Sequence, residues 1–282
     1  MKKILVPTDF SNNAYAALHY ATQLFEKEKC LFYVLHSFEN EKNRLEGTIT
    51  LEKKGPKFAQ LYQESKSKLT AIIHRINSDA PNDLHNFKSI SSSEDLTTEI
   101  NNIVKKRAID FVCIGSKGVT ASQDIFLGSN TLSIIKEIKG APLIIVPQQL
   151  DYEPIEKIAF TTGFKRAYEP IEMEPLQYIS KLTEAPVHIL HIRNEESMND
   201  EKRKNFHQLF HLLTEVHRES SWVSNKSVYK GVMDFVTQEN IQLLAMIYYK
   251  HNPIFNIFRE AVIKNIVKHI AIPFLIIPSA NR

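Results

Sequence analysis

Lys3-Ile4-Leu5-Val6-Pro7-Thr8-Asp9-Phe10 opens the chain, and Lys157-Ile158-Ala159-Phe160-Thr161-Thr162-Gly163-Phe164 repeats its design later. Each is a lysine, a short apolar run, a threonine at the same place and a turn ending in phenylalanine. Two further pairs follow in the same order. Leu31-Phe32-Tyr33-Val34-Leu35-His36 matches Val187-His188-Ile189-Leu190-His191, each a buried-strand pattern ending in Leu-His. Ala141-Pro142-Leu143-Ile144-Ile145-Val146-Pro147 matches Ile272-Pro273-Phe274-Leu275-Ile276-Ile277-Pro278. Three matches at a nearly constant offset indicate a tandem duplication. The first copy spans residues 1–150 and the second 151–282, joined through a short polar stretch at residues 148–154.

Strand and helix patterns alternate within the first copy. Residues 4–7, 30–36, 86–90, 111–114 and 143–146 read as five short strands. Ala14, Ala17, Leu18, Ala21, Leu24 and Phe25 recur at helical spacing, with Ser11 or Asn12 as N-cap. Phe58, Leu61, Leu69, Ile72, Ile73 and Ile76 mark a second helix, and Leu96, Ile100, Ile103 and Val104 a third. Leu132, Ile135 and Ile138 mark a fourth, with Gly140 expected at C′ and Pro142 beyond. Residues 38–56 are polar, carry no period and read as a surface loop. Such an alternation implies a mostly parallel sheet covered on both faces, an α/β fold.

Composition bounds the function. The chain has 282 residues, enough for about two α/β domains. Hydrophobic residues make up 43% and charged residues 24%, ordinary for a globular protein. With 35 basic and 32 acidic side chains the net charge is +3, too balanced for a dedicated nucleic-acid binder. No apolar run approaches the ~20 residues that span a bilayer, so no membrane partner is expected. The start lacks the ~7–15 residue apolar core of a secretory signal. Cys30 and Cys113 lie inside apolar runs and build no disulfide framework. A reduced cytoplasmic setting fits these features.

The glycines carry the strongest chemical signal. Only eight occur in the chain, and three of them, Gly115, Gly118 and Gly128, follow the strand at residues 111–114. The run is Gly115-Ser116-Lys117-Gly118, nine residues, then Gly128-Ser129. Glycine permits positive φ and lets backbone N–H groups approach a ligand. A helix starting near Gly128 presents unpaired N–H donors and a positive dipole end, which suits phosphate. Lys117 adds a positive charge and Ser129 a hydroxyl donor. A βα loop with a glycine-capped helix is the plain structural alternative. The spacing is neither that of a Walker A loop nor that of a dinucleotide fingerprint.

This combination resembles the universal stress protein family, whose ATP-binding motif is Gly-x2-Gly-x9-Gly-Ser/Thr after the fourth strand. Val6-Pro7-Thr8-Asp9-Phe10-Ser11, Leu35-His36 and the residues from Pro142 to Pro147 resemble other stretches of that family, and the likeness covers nearly the whole chain as two copies. It implies two five-stranded, doubly wound parallel sheets of order 3-2-1-4-5. Strands one and four are then neighbours where the winding reverses, and ligands of open α/β sheets bind beyond the strand ends at such a point. The resemblance further implies that Pro7, Thr8 and Asp9 contact adenosine, with the Asp9 carboxylate near the ribose. The backbone at Ser37 would meet the adenine edge, and Ile114 and Gly115 the ribose and first phosphate. Gly118, Gly128, Ser129 and Asn130 would hold the phosphates, with Lys117 nearby. Asn130 departs from the small apolar residue common in the family. For Asp9 the structural alternative is an Asx turn capping the first helix.

The second copy lacks this equipment. Gly163 replaces Asp9. Aligning Ile109 with Ile241 puts Ile247 at Gly115, Lys250 at Gly118, and, after a one-residue gap, Arg259 at Gly128 and Glu260 at Ser129. Tyr248, Tyr249 and Phe255 are bulky enough to fill the vacated crevice, or to stack a different ligand.

Other constellations are weaker. His207 and His211 are four apart with His217 beyond, but no acidic or cysteine ligand completes a metal spacing, and no metal site is expected. His36 and His191 end equivalent strands, which points to a shared structural role. Lys202-Arg203-Lys204 beside Asp200 and Glu201 reads as a solvated helix start. No nucleophile elbow, zinc-binding helix or catalytic carboxylate pair occurs.

The expected function is therefore binding: ATP, with or without Mg²⁺, held in the first domain as a regulatory or structural ligand in a stress response, with no catalytic residue assigned. A slow ATPase using the same site is the enzymatic alternative, with Ser129, Lys117 and Asp124 as candidates and no evident base. A nucleotide-free interaction scaffold is the third reading. The fifth strands would lie at sheet edges, where exposed apolar backbone invites pairing. The resemblance implies that they pair with each other, making the chain an intramolecular pseudo-dimer, with further homodimerisation open.

Overall fold

The computed structural model describes residues 1–39, 55–116, 128–148, 152–193, 198–249, 263, 265, 266, 269 and 271–280. The chain divides into two compact units, Met1–Gln149 and Leu150–Arg282.

In the first unit the described elements run β1 (Lys2–Pro7), α1 (Asn12–Leu24), β2 (Cys30–Ser37), α2 (Pro56–Asp79), β3 (His85–Ser92), α3 (Leu96–Arg107), β4 (Phe111–Gly115), α4 (Ser129–Glu137) and β5 (Leu143–Val146). The strand order is β3-β2-β1-β4-β5. Every strand pair is parallel, with Ile4 opposite both Phe32 and Phe111, and Val112 opposite Leu143. Ile4, Leu5, Val6 and Val112 have no exposed surface, as central strands covered on both faces require. β3 at the edge is polar instead, and most of its residues remain partly or fully exposed.

The second unit repeats the plan with β6 (Ile158–Thr161), α5 (Pro170–Thr183), β7 (Val187–His191), α6 (Asp200–Leu212), β8 (Arg218–Trp222), α7 (Val228–Gln238), β9 (Leu243–Tyr248) and β10 (Phe274–Pro278). Its order, β8-β7-β6-β9-β10, is again 3-2-1-4-5.

The duplication extends to individual hydrogen bonds. Lys3 Nζ donates to Arg107 O at 2.7 Å, and Lys157 Nζ to Glu239 O at 3.0 Å. The Lys3 amide donates to Asp110 Oδ2 at 2.8 Å, and the Lys157 amide to Gln242 Oε1 at 2.9 Å. The helices before β4 and β9 are followed by left-handed residues, Ala108 at φ 50° and Asn240 at φ 51°.

Local signals set the helix boundaries. Ser11 Oγ accepts from the Ala14 amide at 3.2 Å and is the N-cap of α1. The fourth helix is shorter than its apolar pattern. It ends at Glu137 with Ile138 as C-cap, so Gly140, at φ 73°, lies one residue beyond the expected C′ position. Asn101 ends it from outside, donating to Glu137 O at 3.2 Å and accepting from the Lys139 amide at 2.9 Å. A side chain from a neighbouring helix thus does the work expected of the glycine. Most of the unpatterned stretch at residues 38–56 lies outside the described residues.

Both cysteines are buried. Burial pushes the Cys30 thiol up to about 12 and the Cys113 thiol still higher, so neither is a thiolate nucleophile near neutral pH.

Candidate functional site

The carboxyl end of the first sheet is built around β1, β4 and the turns that leave them. β1 stops at Pro7, as the apolar run suggests, because the next residues turn away to begin α1. The Thr8 amide continues the ladder by one bond, donating to Leu35 O at 2.8 Å. Thr8 Oγ1 then accepts from the Phe10 amide at 3.0 Å, and Asp9 Oδ1 from the Ser11 amide at 3.1 Å. The side chains of Thr8, Asp9 and Ser11, the last as N-cap, thus accept from amides between strand and helix. Asp9 makes the Asx turn that its residue type allows. It is partly exposed, while Pro7 and Thr8 are buried.

β4 lies beside β1 and ends in Ile114 and Gly115, both buried. The Ser116 amide donates to Val146 O at 2.8 Å, and the Gly128 amide returns to Ser116 O at 2.9 Å. That second bond brings the start of α4 to the end of β4. Thr131, buried in the first turn of α4, fastens the junction by donating Oγ1 to Gly115 O at 3.1 Å.

Gly128 is the N-cap of α4, at φ −70° and ψ 150°, with no side chain to cap the helix. The left-handed freedom expected of this glycine is not used, and its own N–H is spent on Ser116. What it leaves open is the helix start, since the amides of Ser129, Asn130 and Thr131 have no acceptor within the helix. The Ser129 and Asn130 side chains are exposed. This is the arrangement that receives an anion.

Ser37 closes the other side, at the last position of β2. Its Oγ donates to Glu94 O at 2.6 Å, which ties β2 to the chain leading into α3. The fold therefore gathers Pro7, Thr8, Asp9, Ser37, Ile114, Gly115, Gly128, Ser129 and Asn130 at the carboxyl ends of adjacent strands. Lys117, Gly118 and Asp124 lie outside the described residues, as do Lys250, Phe255, Arg259 and Glu260 of the second copy. The sequence reading missed Thr131 and the Ser116–Gly128 bond. A threonine at the third position of a helix resembles any other first-turn residue until its partner strand is known.

The corresponding end of the second unit holds a polar cluster. Arg166, in the turn after β6, pairs its Nη2 with Glu172 Oε1 at 2.6 Å. The Glu172 carboxylate is 1% exposed, and it also accepts from the Ala280 amide at 2.9 Å and the Glu169 amide at 3.0 Å. Burial works to raise its pKa, but the Arg166 guanidinium and these two amides outweigh it and hold the carboxyl below the usual glutamate range. The guanidinium lies 4.1 Å from the ring centre of Tyr249, just past β9. Tyr168 hydroxyl pairs with Thr162 Oγ1, and His191 Nδ1 lies 2.8 Å from Thr162 O. Segments following β6, β9 and β10 are thereby tied to the start of α5, within the second unit. Tyr249 does pack at this end, as its bulk suggests. The paired charges of Arg166 and Glu172 were not foreseen.

His207 and His211 are exposed on α6, and no group of three or more metal-ligating side chains occurs among the described residues. No helix among those residues is long and apolar enough to cross a membrane.

Comparison with known proteins places this geometry. The model of the universal stress protein family matches residues 1–147, more than half of the chain. A curated universal stress protein of Methanocaldococcus jannaschii is 29% identical over 168 residues, covering 52% of this chain and 96% of the relative. A universal stress protein structure from Archaeoglobus fulgidus covers 99% of this chain and 97% of its own, with a TM-score of 0.67 and 15% identity. A protein of unknown function from Pseudomonas aeruginosa aligns over 99% of this chain and 93% of its own, with a TM-score of 0.57 and 8% identity. At these identities the two solved structures speak for the fold.

Proposed function

The chain belongs to the universal stress protein family, and from that premise we propose that its first unit binds one ATP molecule as a regulatory or structural ligand. The observation that carries this reading is the return of Gly128 to Ser116, which sets the uncapped start of α4 at the switch point between β1 and β4. Phosphates would lie on the first-turn amides of α4, with Gly118 giving close backbone approach and Lys117 a counter-charge. Adenosine would lie over Pro7 and Thr8, with the ribose at the Asp9 carboxylate and the adenine edge at Ser37. Bound Mg²⁺ would neutralise phosphate charge.

The second unit would bind no nucleotide. Arg166 and Glu172 occupy the carboxyl end of its sheet with a charge pair of its own, and Gly163 offers no carboxylate for a ribose. A cytoplasmic, non-catalytic role follows from the same reading.

Isothermal titration of the full chain with ATP tests the proposal, with one site per chain expected. Two sites would overturn the assignment of the second unit. Asp9→Ala removes a charge-assisted hydrogen bond worth about 1.5–3 kcal/mol, so affinity should fall roughly tenfold to a hundredfold. Gly118→Val should block the phosphate approach. Unchanged affinity in both variants would remove the nucleotide from this crevice. Bound ATP should persist for many minutes with Mg²⁺. Phosphate release that scales with protein and vanishes in Gly118→Val would establish a slow ATPase instead.

A further inference from the structure

β8 is the outer strand of the second sheet and pairs on one side only, with β7. Two buried histidines of β7 stand against it in the register, His188 opposite Glu219 and His191 opposite Trp222. They are three residues apart, so their side chains leave β7 on opposite faces. His188 meets Phe235 of α7, with 6.1 Å between ring centres. His191 packs against Phe164 and Trp222, at 4.8 and 5.5 Å.

Both rings lack a partner at the same atom. His188 is 8% exposed and His191 5%, and in each Nε2 is buried with no hydrogen bond. His191 Nδ1 donates to Thr162 O, so in the neutral ring its Nε2 holds a lone pair. A further proton on either ring adds a buried charge and leaves an N–H at Nε2 with nothing to accept it.

The surrounding charges do not reverse that balance. Burial lowers the pKa of His188. Glu219, 3.8 Å from Nδ1 but 54% exposed, favours the proton, as does Glu239, while Lys157 and His217 oppose it. Lys157 is itself paired with Glu239 at 3.6 Å, and His217 Nε2 lies 4.0 Å from Glu219. Burial lowers the pKa of His191 too. The bond to Thr162 O works the other way, and Lys202 and Arg193 add to the lowering. The ordinary value is 6.5, so a released strand lets these rings take up protons before the docked one does. The stability they contribute is complete above pH 6.5 and is lost as pH falls below it.

That loss falls on β8. β9 is buried and paired on both sides, with β6 and β10, whereas β8 exposes Glu219 and Ser220 and holds to one neighbour. Edge elements of this kind open at the least cost. We propose that β8 is an acid-released edge, docked while His188 and His191 are neutral and let go from β7 when they are protonated.

Amide hydrogen exchange on the full chain, read by mass spectrometry and corrected for the intrinsic pH dependence of exchange, tests this. From pH 7.5 to pH 5, protection of residues 218–222 should fall about tenfold or more while that of residues 243–248 holds. Emission of Trp222 should shift to the red over the same range. Replacing His188→Leu and His191→Asn together removes both titrations and keeps a donor for Thr162 O, so protection of β8 should persist to pH 5. Glu219→Gln changes an exposed side chain and removes a carboxylate that favours the proton on docked His188, so release should deepen. Constant protection of β8, an equal loss in β9, or the same fall in the double variant would overturn the proposal. If the double variant does not fold at pH 7.5, Glu219→Gln decides, and a fall no deeper than that of wild type overturns it.

Discussion

The ring of Phe10 lies 4.4 Å from the imidazole of His36, and Phe10 adopts φ 65° in the turn that brings it there. The second unit repeats the relationship, with Phe164 at φ 53° and its ring 4.8 Å from His191. A left-handed non-glycine residue costs roughly 1–2 kcal/mol. Both turns accept that cost because the threonine two residues earlier receives the phenylalanine amide, and the ring then covers a histidine at the end of the neighbouring strand.

Alanine at either phenylalanine should therefore destabilise, since the strained backbone stays and the packing is lost. Phe164 is fully buried among His191, Phe206 and Trp222, so Phe164→Ala should cost about 3–5 kcal/mol. Phe10 is partly exposed and should cost less. Urea denaturation of the two variants checks the order, and a larger loss for Phe10→Ala would contradict it.

The pair formed by Arg166 and Glu172 should make the second unit sensitive to acid. The folded pKa of Glu172 lies below the ordinary value of 4.5, so the unfolded chain takes up the proton first as pH falls. The stability it contributes is complete above pH 4.5 and is lost as pH drops through that value and then through the lower folded one. The gap in unfolding free energy between wild type and Glu172→Gln should shrink from pH 7 toward pH 3. Arg166→Ala leaves a buried carboxylate without its ion partner. It should cost about 3 kcal/mol at pH 7, the low end for a buried pair because Arg166 keeps 28% of its side chain exposed. Trp222, the single tryptophan, reports both by fluorescence. A pH-independent gap would refute the assignment.

Thr131→Val tests the junction between β4 and α4. Valine matches the shape of threonine but leaves Gly115 O without its donor, for a loss of about 1–2 kcal/mol in stability. ATP affinity should fall as well, because the start of α4 is no longer fastened to the strand. Calorimetry on a variant that is as stable as wild type and binds equally well would show that the bond has no part in the site.

Gly231→Ala opposes two effects inside α7. Alanine favours a helix over glycine by about 1 kcal/mol. A Cβ there would meet Ile192 Cγ2 at 2.8 Å and Asn225 Cβ at 3.1 Å. Both atoms sit close to their own backbones and yield little, and overpacking of this kind costs about 1–3 kcal/mol. The clash should win and thermal denaturation should fall to lower temperature. A stabilised variant would mean that the loop carrying Ile192 gives way.

The alternation of strands and helices, the two copies and the cap at Ser11 were legible in the chain because each is a property of neighbouring residues. Burial on both faces makes Ile4-Leu5-Val6 a continuous apolar run, and helical spacing reads out in Ala14, Ala17 and Ala21 whatever lies opposite. Element ends were less legible where a distant side chain intervened, as Asn101 does at the end of α4. The placement of Asp9 and Gly128 at the carboxyl ends of adjacent strands followed from strand order, which a pattern suggests only through likeness to a known family.

Contacts between distant segments were hidden in the sequence. Arg166 and Glu172 are two ordinary charged residues until folding buries the carboxylate beside the guanidinium, sets Tyr249 beneath it and turns the Ala280 amide toward it. His85 reads as the polar start of an edge strand. Its orphaned Nδ1 exists because packing against Phe32 and the bond to Phe25 O fix which nitrogen carries the proton. Hydrophobic period and turn chemistry act over a few residues and survive in the one-dimensional record. Desolvation and charge pairing depend on which atoms exclude water from which others, and that is settled when the chain closes on itself in three dimensions.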